Sequence, residues 1–295
     1  MPTDDGHSPA HAASKGFAFA HFAFIAALFP PLLLVACMML THLGYISDDL
    51  GFHTLTLRFG PKLASAALAI GALSLLISLF MAPKRCAPWA LAAVVISAAL
   101  LGGFSWYKST AKACPPISDV ATDWDRPLTL SDKLVAARGA DAKLVEDLPR
   151  VPRNESLEWG GKTIPDINSL TCPGAHPVMR RGISPDQVAE ILKGEKYSIF
   201  DSSASAVEAT SQDNFFGFKY DVVVRLDPGR VDVRSISRYE TPDMGINCRH
   251  VTDIVRKIEA LPVAPDASDA PASEATVASG VPAADAGGDD GGGGD

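Results

Sequence analysis

The sequence predicts an α+β protein: three N-terminal transmembrane helices followed by a small soluble domain with a four-stranded antiparallel sheet and flanking helices. Three observations predict it. Apolar residues make up 47% of the 295 residues and concentrate before Trp106. From Lys196 to Tyr239 the apolar positions alternate, as on strands, and segments with helical spacing lie on either side. Beyond Pro262 the chain is rich in Ala, Gly, Asp, Pro and Ser, a composition too poor in large apolar residues to pack a core.

The organisation expected is a polar N-terminus over 1–16, a three-helix membrane domain over 17–107 and an extended linker over 108–130. An α+β domain over 131–261 and a disordered acidic tail over 262–295 complete it. Three runs without Lys, Arg, Asp or Glu make the membrane domain: Phe17 to Leu43, Leu63 to Met81 and Trp89 to Trp106. A helix needs about 20 apolar residues to cross the hydrocarbon core, and each run is close to that. Trp89 and Trp106 bracket the third run, where amphipathic indoles favour the membrane–water interface. Ala67/Gly71, Ser74/Ser78 and Ala98/Gly102 provide the small-residue spacing that lets helices approach closely in lipid. Pro30-Pro31 predicts a kink in the first span, and His21 and His42 are read as interfacial. Leu34 to Cys37 has the form of a lipoprotein processing box, but the apolar run continues through Leu40 and two more spans follow. The first run is therefore read as a span.

"KSTAKACPPISDVATDWDRPLTL" (108–130) reads as a proline-punctuated leash, and 130–150 shows only weak helical spacing around Leu134, Val135 and Leu144. Ser184-Pro185-Asp186-Gln187 is a capping box with proline in the first turn, Val188, Ile191 and Leu192 form the buried stripe, and Gly194 ends the helix. Lys196 to Asp201 and Ser205 to Ser211 follow as strands. Phe218 to Leu226 and Val231 to Tyr239 make a hairpin about Asp227-Pro228-Gly229-Arg230, since proline presets the turn and glycine tolerates the positive φ after it. Asn247 is expected to cap a last helix carrying Val251, Ile254, Val255, Ile258 and Leu261.

The formal charge of −8 resides in the tail: Asp266, Asp269, Glu274, Asp285, Asp289, Asp290 and Asp295 supply −7, leaving −1 for the rest. Without a basic stripe, a nucleic-acid partner is excluded. The five cysteines show no CxxC or paired-histidine spacing, so no metal site is expected. Cys248 near the last helix is read as a small packing residue, while an extracytoplasmic domain leaves room for one bridge among Cys114, Cys172 and Cys248 with one thiol over. No glycine-rich phosphate loop or dinucleotide motif implies a cofactor.

The chemistry-bearing stretch is "VDVRSISRYETPDMGIN" (231–247). With Pro228 and Gly229 as the loop, Arg225 faces Asp232, Val223 faces Arg234, Asp221 faces Ile236 and Lys219 faces Arg238. Val222, Val224, Leu226, Val231 and Val233 then point to the core, and Asp221, Arg225 and Asp232 join the arginines in a charge ladder on a wet face. Three uses remain open. The charges serve structure alone; Arg234, Arg238, Ser235, Ser237, Asp243 and Asn247 grip an anion beside a helix N-terminus; or Ser235 or Ser237 is a nucleophile, for which only His250 lies near in sequence.

"GFKYDVVVRLDPGRVDVRSISRYETPDMGINCRHVTDIVRKIE" resembles the C-terminal signature of the domain of unknown function 1499, found in bacterial and plastid-bearing lineages. The matching positions are Asp221, Val222, Val223, Arg225, Asp232, Arg234, Ser235, Ser237, Arg238, Asp243, Gly245 and Asn247. "PPISDVATD", "IPDI" and "VEAT" resemble earlier family segments, with departures at Tyr220 (often aspartate) and Ser118 (usually histidine). The resemblance implies a domain and no activity.

The function expected is a membrane-tethered domain that binds a partner, either a protein or a small anionic ligand, near the bilayer surface. The alternative is a hydrolase holding an anionic substrate with Arg234 and Arg238. The place expected is the bacterial inner (cytoplasmic) membrane, with the soluble domain extracytoplasmic because Lys84 and Arg85 make the tight loop the densest positive segment.

Overall fold

The computed structural model describes residues 9–81, 83–140, 142–151, 158–239 and 243–262. The expected disordered tail lies outside them apart from Pro262. Helices α1 (Pro9–His42), α2 (Gly60–Met81) and α3 (Pro83–Ala113) pack on one another. Gly16–His42, Asp49–Met81 and Pro83–Ala113 are each long and apolar enough to cross a membrane. Small residues make the contacts: Ala23 and Ala27 of α1, Ala67, Gly71, Ser74 and Ser78 of α2, and Ala90, Ala93 and Ser97 of α3 are buried. Ile25, Leu76, Phe80 and Val95 stay exposed, as expected where large side chains face lipid and close backbone approach holds the helices. Ala98 and Gly102, expected among the contacts, face outward instead. α1 runs on through Pro30 and Pro31 as one helix.

Between α1 and α2 lies an element that was not expected, the π-helix Asp49–Phe59, which leads straight into α2. Its wide turns bring the Thr56 hydroxyl to the Gly51 carbonyl, five residues back, at 2.8 Å. Gly51 itself abuts Thr41, whose Oγ1 occupies the place a Cβ would need.

The sheet has five strands, not four: β1 (Asp119–Ala121), β2 (Ser198–Ser202), β3 (Ala206–Gln212), β4 (Lys219–Asp227) and β5 (Arg230–Ser237). All pairs are antiparallel, in the order β1-β5-β4-β3-β2. The fifth strand comes from the segment expected to be a linker, whose three-residue strand is too short for alternation to show. The β4–β5 register is the expected one, with Val223 opposite Arg234, Asp221 opposite Ile236 and Arg225 opposite Asp232. Gly229 takes φ +84° in the turn.

Val222, Val224, Leu226, Val231 and Val233 form one core with α5 (Ile164–Thr171), α6 (Pro185–Gly194) and α7 (Ile246–Glu259). The α6 capping box is present in both directions: Gln187 N donates to Ser184 Oγ at 3.2 Å and Ser184 N to Gln187 Oε1 at 2.9 Å. Cys248 is bonded to Cys172 in a disulfide and Cys114 is the thiol left over, so Cys248 is one half of the bridge that an oxidising compartment allows and not simply a packing residue.

The opposite sheet face is not wet. Leu128, Leu130 and Leu134 of a strap that includes α4 (Asp132–Arg138) pack against Val223. Asp221, Asp232 and Arg234 are fully buried beneath it. A strap of irregular backbone and one short helix has no sustained period, which is why the covering layer leaves so faint a trace in the sequence.

Candidate functional site

β5 carries side chains to both faces, and the sequence-predicted site residues divide accordingly. Arg234 lies under the strap, where its Nε and Nη2 donate to the two Asp119 oxygens at 3.0 and 2.7 Å. Nη1 donates to Leu128 O and Nη2 to Glu146 O, both at 2.6 Å, and the guanidinium lies 5.0 Å from the Trp124 ring centroid. Arg238 donates from Nε and Nη2 to Asp221 at 2.9 and 2.7 Å and from Nη1 to Ala137 O at 3.0 Å. Asp221 also accepts from Arg138 at 2.6 Å and from Thr210 at 2.8 Å. Asp232 is held by Arg225 at 2.9 Å and Arg230 at 3.0 Å. Every nitrogen of Arg234 and Arg238 already donates to a protein oxygen, so an anion at either guanidinium would compete with a buried carboxylate. These pairs satisfy buried charges that would be very costly without a partner.

The other group faces α7. Asn247 is not the cap: Gly245, at φ +80°, holds that position. Asp243 does the capping, accepting from Gly245 N at 2.8 Å and Asn247 N at 2.7 Å. The buried Asn247 amide instead accepts from Ser235 Oγ at 2.6 Å and donates to Ser237 Oγ at 2.8 Å, pinning α7 to β5. His250 Nδ1 is 3.4 Å from Ser235 Oγ, and its ring meets Tyr197 and Tyr220 edge-on. Burial, assisted by Arg249, lowers the His250 pKa to about 4, so the ring is neutral at neutral pH. Ser235 is fully buried with its hydroxyl committed to an amide oxygen, a poor arrangement for a nucleophile. Burial pushes the Asp243 carboxyl up from its usual range, while the amides of Asn247 and Gly245 pull it back.

A third feature lies where the domain meets the helices. The Asp213 carboxylate accepts from the backbone N–H of Phe215, Phe216 and Phe218 at 2.6, 3.0 and 2.5 Å, which fixes the loop between β3 and β4. Gly217 lies against the end of α1: its φ is +79°, and a Cβ there would stand 2.8 Å from His42 Cα. Gln212 Nε2 donates to His42 O at 3.3 Å. Phe52 of the π-helix sits edge-on to Phe216 and Phe218 at 4.8 and 5.1 Å, and Phe218 stacks on Tyr239 at 4.6 Å. Beside this cluster is a chamber of about 440 Å³. Leu34 and Met38 of α1, Phe52 and Leu57 of the π-helix, and Gly103, Phe104 and Tyr107 of α3 line it from the membrane side. Phe215, Phe216, Phe218, Tyr220, Ser237, Tyr239, Asp243 and Met244 line it from the domain. Of the predicted site residues only Ser237 and Asp243 reach it. Among the described residues no group of three or more His, Cys, Asp or Glu is placed to hold a metal ion.

Residues 119–258 match the sequence model of a family described as a protein of unknown function, DUF1499. The chain carries a DUF1499 domain. No curated protein and no solved structure matches the chain. The match opens at Asp119, the partner of Arg234, so the counter-ion strand belongs to the DUF1499 domain. The resembling segments "PPISDVATD" and "VEAT" supply Asp119, Glu208 and Thr210, which bind Arg234, Ser131 and Asp221 respectively. Ser118, just before the matched segment, accepts from Lys143 Nζ at 2.6 Å. Sequence reasoning did not foresee Asp119, Arg138 or the aromatic lining of the chamber. The run Phe215-Phe216-Gly217-Phe218 was the available signal, three aromatics about a glycine in an otherwise polar turn.

Proposed function

We propose that the protein is a membrane-tethered binding protein whose DUF1499 domain sits on the helix ends and takes an apolar ligand into the chamber beneath it. The observation that carries this reading is the chamber. Its volume of about 440 Å³ falls within the range of small-molecule sites, roughly 300–1,000 Å³, and its walls are mostly aromatic and aliphatic with a few polar groups. The arginine strand supports a structural role, since an anion or anionic substrate at Arg234 and Arg238 would compete with Asp119 and Asp221 for the guanidinium groups. We favour binding over hydrolysis because Ser235 and Ser237 are engaged with Asn247 on the face opposite those arginines.

Two features favour the extracytoplasmic side for the domain. Lys84 and Arg85 lie at the far end of the bundle, and disulfides such as Cys172–Cys248 persist in oxidising compartments. Alkaline phosphatase fused after Leu261 should be active; an inactive fusion with a fluorescent cytoplasmic reporter overturns that placement. For the chamber, the full chain in detergent should bind the fluorescent probe N-phenyl-1-naphthylamine saturably, and Leu57→Trp, which fills the space, should abolish the signal. Absence of saturable binding by the unmodified chain sinks the reading.

A further inference from the structure

Resting on the apolar-chamber reading, we propose that the chamber is filled sideways from the surrounding leaflet by one acyl chain of a membrane lipid, which passes at Gly103. Gly102 and Gly103 are both exposed, and a Cβ at either would have nothing within 4 Å. Gly103 also lines the chamber, so α3 carries a notch free of side chains between the chamber and the outside of the bundle. Depth places this notch in the bilayer. Trp106, 69% exposed, lies three positions further along α3, where an exposed indole favours the membrane–water interface. Gly103 is therefore about one helical turn inside it.

On the domain side the wall of the chamber is built of aromatic rings. Phe216, Phe218 and Tyr239 stack in sequence, and Tyr239 also borders a polar cleft formed with Asp48, Lys219 and Arg238. A lipid chain entering at the notch meets only the backbone of α3. Size agrees with a single chain. A methylene takes up about as much space as a water molecule, roughly 30 Å³, so 440 Å³ accommodates about fifteen of them. The Asp213 and Asp243 carboxylates in the lining are occupied by backbone amides, so selection acts on the chain while the headgroup stays at the interface.

The test uses the full chain in phosphatidylcholine nanodiscs doped with a phosphatidylcholine bearing a diazirine at the end of one acyl chain. After illumination, adducts are mapped by mass spectrometry. Adducts are expected on Phe52, Phe216 or Phe218, falling at least about fivefold in Gly103→Trp and staying unchanged in Gly103→Ala, while labelling of lipid-facing Leu76 and Phe80 stays constant in all. Gly103→Leu replaces the tryptophan variant should the latter lose its Cys172–Cys248 bond, the sign of misfolding. Unchanged chamber labelling in the blocked variant, or none in the unmodified chain, overturns lateral filling. If N-phenyl-1-naphthylamine still binds saturably in detergent and Leu57→Trp still abolishes it, the chamber reading stands and only the lipid route falls; if that binding is also missing, both fall.

Discussion

Arg234→Met probes the most committed side chain in the DUF1499 domain. Methionine keeps the length and apolar stem but removes a guanidinium whose five contacts all lie within the protein: two Asp119 oxygens, two backbone carbonyls and the face of Trp124. Asp119, 4% exposed, would be left as a buried carboxylate without its partner. Breaking a buried pair in this way costs about 3–5 kcal/mol. The orphaned carbonyls of Leu128 and Glu146 each add about 1 kcal/mol or more, and retained stem packing offsets a little. A net loss of about 5 kcal/mol lowers the melting temperature of a domain this size by more than about 10 °C. Near-ultraviolet circular dichroism of the full chain in detergent, sensitive to Trp124, is the assay. Adding Asp119→Leu to the same chain should restore at least about 2 kcal/mol, because an apolar pair replaces an unpaired charge. A single substitution costing under about 1 kcal/mol would refute the reasoning, for it would mean that water reaches the guanidinium and the strap over the second sheet face is open.

The remaining predictions follow from neighbouring contacts. Arg238→Ala should cost less than Arg234→Met, about 2 kcal/mol by the same melt, because Asp221 keeps Arg138 and Thr210; this exceeds the 1 kcal/mol or less that a wet face implies. Asn247→Ala should cost about 2–3 kcal/mol, more than the roughly 1 kcal/mol of a lost cap, since two buried serine hydroxyls lose their partner; a cost near zero would show that those hydroxyls have other partners. His250 titrates at about 4 when folded and near 6.5 when unfolded, so the unfolded chain binds its proton first. Its contribution is complete above pH 6.5 and is lost as pH falls from there through 4, up to about 3 kcal/mol, and a His250→Phe variant should show a flatter stability profile over that window. Cys172→Ser should cost about 4.5 kcal/mol, the chain-entropy value for a loop closed across a separation of 76 residues, and reductant should leave the variant's melting point unmoved while lowering that of the parent.

The parts of the fold that were legible are those whose signal is local. Asp227-Pro228-Gly229-Arg230 sets the hairpin and hence the register of every β4–β5 pair. Ser184 and Gln187 announce α6 within four residues, and the apolar runs announce the spans. The face of Val222 and Val224 was legible by alternation, but what covers Asp221 and Arg234 was not, because the strap reaches them from far away in sequence without a period of its own. Asn247 misled for a related reason. A polar residue before an apolar stripe reads as a cap, yet Asp243, four positions earlier, takes the amides and leaves Asn247 to face the serines. The chamber was the least legible feature, since it exists only where Gln212 and its loop meet His42, 170 positions earlier.

The pairing of β1 with β5 also bears on how the chain is made. Arg234 lies 115 positions after Asp119, so the strand that leaves the membrane first waits for the last strand to be synthesised. At about 5–20 residues per second, the ribosome takes on the order of ten seconds to cover that distance, long after α3 is complete. Throughout that interval Asp119 has no cation and the inner face of the strap no sheet to cover. A chain stopped before Arg230 would have its three helices but could not close the domain, and would present its unpaired edge to proteases and chaperones at the membrane surface.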